Sequence, residues 1–196
     1  MSYKELLGII ATVIAFFSYI PYIRDILKGK TKPHAFSWLV WSILTFIAFF
    51  GQLAGGGGAG SWVNGITAIV CFIIFVFGIV KGRTNIVFID WISLIGAFIA
   101  VIFWFITKGP LFSVILITII DALGYFPTFR KSFHKPHDET LITYFLSALK
   151  YVFALFALST ISVVTALFPL YLVIANSAFV VMVLIRKKQL RTKESF

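Results

Sequence analysis

The chain has 196 residues, of which 60% are hydrophobic and only 12% are charged, and its formal net charge is +10. So few charged residues cannot cover the surface of a water-soluble domain of this length. The composition therefore excludes an ordinary globular protein and predicts an integral membrane protein. The single cysteine, Cys71, excludes a disulfide framework.

Apolar runs of about 20 residues, the length that crosses a ~30 Å hydrocarbon core as a helix, predict seven spans. In chain order they cover residues 6–27, 36–54, 61–80, 86–106, 110–129, 140–158 and 162–185. The first is interpreted as a permanent span, because it lacks a small-residue cleavage site and runs directly into Pro21. No run alternates with the period of a barrel strand. The connections are short, so we expect consecutive helices to be neighbours.

Basic residues are concentrated on one side of the predicted membrane. If the seven spans alternate in direction, Lys4 and Lys108 fall on one side, and most of the 17 Lys and Arg residues fall on the other: Arg24, Lys28, Lys30, Lys32, Lys81, Arg83, Arg130, Lys131, Lys135, Arg186, Lys187, Lys188, Arg191 and Lys193. The positive-inside rule then predicts a multi-pass protein of the cell (inner) membrane, with its N-terminus outside and its C-terminus cytoplasmic. Topology and contact with the lipid bilayer explain the charge, so no nucleic acid is expected as a partner.

A segment of the chain occurs twice. Thr12, Tyr19, Pro21 and Arg24 match Thr118, Tyr125, Pro127 and Arg130 at one constant offset, and the tripeptide that ends at His34 recurs ending at His137. Each copy is an apolar helix that meets a proline and leaves through a basic loop. Such self-similarity predicts repeated structural units.

The repeat and the span count together predict an all-α integral membrane fold. Residues 1–85 form one three-helix repeat, residues 86–107 a linker helix, and residues 108–196 a second three-helix repeat with a basic tail. Both repeats start outside and end inside, so we expect two parallel bundles related by an axis along the membrane normal. Proline disrupts helical hydrogen bonding, so Pro21, Pro127 and Pro169 are predicted hinges.

The layout of three, one and three helices, with a proline near the inner end of helices 1 and 5, resembles the SWEET and PQ-loop transporter superfamily. The Pro-Gln pair that names PQ-loop proteins appears here as Pro21-Tyr22 and Pro127-Thr128. The resemblance implies a solute site near the midplane, with Asn176 in the position of the helix 7 asparagine that contacts sugar and Cys71 at the equivalent position on helix 3. The nicotinamide-riboside type of vitamin carrier resembles the same fold.

Two charged residues fall near the middle of predicted spans. Asp121 is 11 residues from Pro110 at the outer boundary and Lys150 is 11 residues from Glu139 at the inner one, so each lies about 16 Å deep. Consecutive helices carry them at matched depth, which predicts a buried ion pair beside the solute site, although a purely structural pair is the alternative. With Asn176, Trp41 and Tyr144 they form the predicted lining of the solute site.

The other tryptophans, Trp38, Trp62, Trp91 and Trp104, fall near span ends and are predicted to anchor the chain at the membrane interface. His34, His134 and His137 lack zinc-site spacing, and the sequence contains no catalytic triad, phosphate loop or dinucleotide fingerprint.

We therefore expect no enzyme activity, no metal and no cofactor. The predicted function is an alternating-access transporter for a small polar solute such as a sugar or a vitamin precursor. The alternatives are a seven-helix receptor or sensor, and an accessory membrane scaffold without transport. The sequence leaves open whether the chain forms a homo-oligomer.

Overall fold

The computed structural model describes residues 1–31, 33, 35–81, 88–107, 110–134, 136–137 and 139–194, although some side chains inside the helices are outside the description. All regular secondary structure within those residues is helical. The helices are α1 (Tyr3–Ser18), α2 (Ile20–Leu27), α3 (Ala35–Ala54), α4 (Trp62–Lys81), α5 (Phe88–Thr107), α6 (Pro110–His134), α7 (Leu141–Ala157) and α8 (Val163–Glu194), with a 3-10 helix at Gly58–Ser61.

Within the described residues, four helical stretches are long and apolar enough to cross a membrane: Tyr3–Leu27, Ala35–Ala54, Gly58–Val80 and Val163–Arg191. Two shorter apolar helical stretches, Pro110–Tyr125 and Leu141–Ala157, contact them. The chain is therefore an α-helical membrane protein, in agreement with its composition.

The first predicted span consists of two helices. Ser2 and Glu5 form a capping box at the start of α1, with hydrogen bonds of 2.7 and 3.2 Å. Helix α1 ends at Ser18, and α2 begins at Ile20 with Pro21 in its first turn. The proline nitrogen carries no hydrogen and cannot bond the carbonyl four residues earlier, so the helix is interrupted at Tyr19.

The last helix is longer than the sequence predicts. Helix α8 runs unbroken through Pro169 to Glu194, beyond the predicted end of the span at residue 185. Its 32 residues extend about 48 Å, which exceeds a ~30 Å hydrocarbon core. Hydropathy marks where the apolar core ends, but the residues that follow still form a helix, and this extension carries Arg186, Lys187 and Lys188.

The helices pack in a reciprocal pattern. Helix α4 contacts both α1 and α3, and α8 contacts both α6 and α7. Between these groups, α1 packs against α7 and α3 packs against α6. The prediction that consecutive helices are neighbours is wrong for three pairs, α2 and α3, α4 and α5, and α6 and α7, which share no extended interface in the described residues. Residues 135–140 join the last of these pairs. The connection of six residues reaches up to ~20 Å, about twice the distance between packed helices.

Hydrogen bonds near the helix ends define two ends of the molecule. At the glycine-loop end, named for residues 55–58, Lys4 Nζ donates to the Ser159 carbonyl at 3.2 Å and the Ser159 amide donates to the Gly57 carbonyl at 3.1 Å. At the opposite, basic end, Thr140 donates to Asp25 Oδ2 at 3.2 Å and Arg186 Nε donates to the Phe133 carbonyl at 3.0 Å.

Candidate functional site

A cavity lined by aromatic rings and by polar side chains lies among six of the helices, from the middle of the molecule toward the basic end. Its wall is formed by seven aromatic side chains, seven other polar side chains and one leucine, namely Tyr19, Tyr22, Trp38, Trp41, Tyr125, Tyr144, Tyr151, Thr45, Thr67, Cys71, Asp121, Thr143, Ser147, Asn176 and Leu172. The cavity volume is about 60 Å³, which is room for a few water molecules or a small solute.

The aromatic side chains form a continuous wall. Trp38 contacts Tyr22 and Trp41 with ring centroids 4.9 and 5.1 Å apart, and Trp41 reaches Tyr125 at 5.9 Å. Tyr19 packs edge-on against Trp38 at 6.0 Å. These residues belong to α2, α3 and α6 and to the α1–α2 junction, so the wall joins helices from both halves of the chain.

The tryptophan prediction is wrong for one of the three residues whose side chains the structure describes. Trp62 and Trp91 are 40% and 50% exposed, as expected for side chains that face lipid or the interface. Trp38 is only 5% exposed and lines the cavity, so its assignment to the membrane interface is wrong. Its position one turn into α3 is compatible with either role, and the direction of the side chain decides between them. The side chain of Trp104 lies outside the described residues.

Asn176 is fixed in place by its neighbours. Its Oδ1 accepts a hydrogen bond of 2.9 Å from the Tyr125 hydroxyl, and its Nδ2 donates to the Leu172 carbonyl at 2.7 Å. Because both groups are buried, these bonds hold the amide in one orientation on the cavity wall.

Asp121 presents a carboxylate to the cavity. The residue is 3% exposed, and its Oδ2 makes no hydrogen bond of 3.5 Å or less within the described residues. The Tyr171 hydroxyl, which also has no partner at that distance among them, lies beside the carboxylate. A buried carboxylate oxygen without a donor is costly, so its place on a cavity wall indicates a site for a ligand.

Lys150 does not pair with Asp121. Its ammonium group donates to the Tyr19 hydroxyl at 3.0 Å and to Thr67 Oγ1 at 2.9 Å, and it lies 4.5 Å from the ring centroid of Tyr19 and 4.9 Å from that of Tyr151. The residue is fully buried but does not line the cavity. The predicted ion pair is therefore wrong. Matched depth predicts that two residues lie at the same height in the membrane, but not that their side chains face each other. The partners of Lys150 come from α4 and the α1–α2 junction rather than from α6.

An amide network lies between the cavity and the glycine-loop end. Asn64 Nδ2 donates to Gln52 Oε1 at 2.8 Å, and the Tyr151 hydroxyl donates to Asn64 Oδ1 at 3.1 Å. Gln52 Nε2 donates to the Thr165 carbonyl at 2.6 Å. The four residues lie on α3, α4, α7 and α8 and are almost completely buried, so three hydrogen bonds join four helices.

Four of the five predicted solute-site residues meet at the cavity: Asn176, Trp41, Tyr144 and Asp121. Lys150 lies behind the wall, bonded to two residues that form it. Sequence reasoning did not assign Thr45, Tyr125, Thr143 or Ser147 to the site, although steps of three and four residues place Tyr125 on the helix face of Asp121, and Thr143 and Ser147 on that of Lys150. It missed Tyr22, Thr67 and Tyr151, which no spacing within one helix connects.

The three predicted hinge prolines differ in their surroundings. Pro21 stands at the interruption between α1 and α2. Pro169 lies inside the continuous helix α8. The backbone of α6 continues through Pro127, whose side chain lies outside the described residues.

Among the described residues, no group of three or more His, Cys, Asp or Glu side chains is placed to hold a metal ion. Comparison of the chain with protein-family models, with curated proteins and with solved structures gave no match.

Proposed function

We propose that the protein is an alternating-access carrier for a small polar solute, with seven spans arranged as in the SWEET and PQ-loop transporters. The observation that carries the proposal is the cavity itself. It lies deep in an α-helical membrane protein, combines stacking surfaces with hydrogen-bonding groups, and includes a buried carboxylate oxygen without a donor. Intramembrane ionisable residues of this kind mark solute pathways.

The helix contacts support two equivalent halves. In the first half, α4 contacts both α1 and α3, and in the second half, α8 contacts both α6 and α7. Between the halves, α1 packs against α7 in the same way as α6 packs against α3. Residues at repeat-equivalent positions have matching environments: Tyr19 and Tyr125 both line the cavity, as do Cys71 and Asn176. The solute site then lies between the halves, as alternating access requires.

The matching extends to local hydrogen bonds. Thr12 Oγ1 donates to the Gly8 carbonyl at 2.7 Å, and its repeat equivalent Thr118 donates to the Val114 carbonyl at 2.7 Å. In both copies of the repeated segment, the threonine therefore donates to the carbonyl four residues earlier in its helix.

The two ends of the cavity differ. The amide network blocks the path to the glycine-loop end, whereas the cavity extends from the middle of the molecule toward the basic end. If the basic end is cytoplasmic, as the positive-inside rule predicts, this is a state closed to the outside. Transport then requires the amide network to open while the aromatic wall closes.

The experiment is uptake by the purified protein in lipid vesicles, after a thermal-shift screen against sugars, nucleosides and vitamins. We expect at least one solute to raise the melting temperature and to enter the vesicles. Asn176→Ala should reduce both effects, because Asn176 is fixed on the cavity wall. Thr118→Val is the matched control, since its hydroxyl bonds within α6 and does not line the cavity.

If no solute in the panel stabilised the protein or entered the vesicles, the carrier function would be refuted and a structural role in the membrane would replace it. Equal losses in Asn176→Ala and Thr118→Val would refute the location of the site.

A further inference from the structure

The charge on the cavity wall has one sign. Asp121 is the only charged side chain among the described residues that line the cavity. It is only 3% exposed, and its Oδ2 has no hydrogen-bond donor among them. A carboxylate in this setting is stabilised most by a positive charge placed against it.

The protein does not supply that positive charge from Lys150. Two neutral hydroxyls and the faces of two tyrosine rings hold its ammonium group, and the side chain lies outside the lining. The chain thus surrounds its buried cation with its own groups and leaves its buried carboxylate open to the cavity. No counter-charge for Asp121 lies within the described lining of the cavity.

The rest of the wall suits the same ligand. Aromatic rings attract cations through their electron-rich faces, and cages of such rings recognise organic ammonium groups. Trp38, Trp41 and Tyr125 form a connected surface on the cavity, and Asp121 lies one helical turn before Tyr125 on α6. The carboxylate and the ring surface therefore face one small volume.

We propose that the solute is a small organic cation, an ammonium ion with apolar substituents, whose charge is neutralised by Asp121 and whose substituents lie against the tryptophan and tyrosine rings. This assignment rests on the carrier function proposed above and specifies its substrate class. An anionic solute would meet a like charge on the wall. A neutral polyol would bring hydroxyl donors but no countercharge for Asp121. The cavity volume of about 60 Å³ selects small ions over large ones.

The test compares charge at constant shape on the unaltered protein. A panel of methylammonium, tetramethylammonium, choline and guanidinium ions is measured by thermal shift and by vesicle uptake. Choline is paired with its neutral carbon isostere, in which a tert-butyl group replaces the trimethylammonium group. We expect at least one cation of the panel to bind and the neutral isostere to bind at least ~30-fold more weakly, the loss typical of removing one partner of a buried charge pair.

Asp121→Asn gives the second comparison, because it removes the charge and keeps the shape. Affinity for the cation should fall by about 30-fold or more, while Thr118→Val on the same helix leaves it unchanged. Equal binding of choline and its isostere, or full affinity in Asp121→Asn, would overturn the cation assignment, as would binding of sugars or nucleosides without binding of any cation. In that last case the carrier function stands and only the substrate class fails. Absence of any bound or transported solute would refute both.

Discussion

Replacement of Asn64 by alanine removes the centre of the amide network. The Asn64 side chain is fully buried and makes two of the three network bonds, to Gln52 at 2.8 Å and from Tyr151 at 3.1 Å. The substitution leaves Gln52 Oε1 without its donor and the Tyr151 hydroxyl without its acceptor. Tyr151→Phe is milder, because it deletes one donor and leaves only Asn64 Oδ1 without a partner.

The magnitudes follow from the number of groups left unpaired. A buried polar group without a partner costs about 1–3 kcal/mol, and a hydrogen bond between membrane helices contributes ~0.6 kcal/mol on average. Asn64→Ala should therefore destabilise the fold by about 2–4 kcal/mol and Tyr151→Phe by about 1 kcal/mol. The double variant should be no less stable than Asn64→Ala alone, since the phenylalanine side chain has no hydroxyl to be stranded.

The assay is reversible unfolding in mixed detergent micelles, followed by tryptophan fluorescence, for both single variants and the double variant. The expected coupling energy between the two positions is at least about 1 kcal/mol. Thr118→Val, whose hydroxyl bonds only within its own helix, serves as the control for the loss of a polar group. If the two single effects simply added, the hydrogen bond between Asn64 and Tyr151 would be refuted.

Three further predictions test other parts of the structure. Lys150→Met should change the free energy of unfolding by less than about 2 kcal/mol, because no opposite charge is stranded; a loss of about 3–5 kcal/mol, typical of a broken buried ion pair, would show that Lys150 and Asp121 are paired after all. Gly8→Ala should destabilise by about 1–3 kcal/mol, since a Cβ there would stand 2.7 Å from that of Ala59, whereas Gly124→Ala has no atom within 4 Å and should be neutral or stabilising; similar losses at both would refute the close packing. In a Cys71→Ala background, an impermeant thiol reagent outside the cell should label Thr160→Cys and not Lys30→Cys, and the reverse pattern would invert the proposed orientation.

The helices themselves are predictable because their cause is local. Apolar runs long enough to cross a bilayer predict these helices closely. The observed ends of α3, α4 and α7 differ by at most one residue from the predicted spans 36–54, 61–80 and 140–158. The predicted helix boundaries are wrong where an apolar run and a helix do not have the same ends. Pro21 divides an apolar run that hydropathy treats as one, and α8 continues past the apolar residues into a basic segment.

The site was less predictable because it depends on which faces meet. Periodicity places Asp121 and Lys150 on the inward faces of their helices, and both are buried. It does not say that α8 contacts both α6 and α7, or that α1 and α4 bring Tyr19 and Thr67 to Lys150. Those contacts to Lys150 join residues 131 and 83 positions apart, and no repeat or spacing in one sequence specifies them.

The energy of the amide network also bears on how the proposed carrier would work. Three hydrogen bonds close the glycine-loop end, and interhelical bonds in membranes contribute from ~0.6 to about 1.7 kcal/mol each, so breaking all three costs about 2–5 kcal/mol. A second conformation a few kcal/mol above the first is populated at a level that a ligand can shift. Apolar contacts of the same area would lack the directional hydrogen bonds that hold the four helices in one arrangement. A buried network of this size is thus strong enough to seal one end and weak enough to open when the bound solute favours the other state.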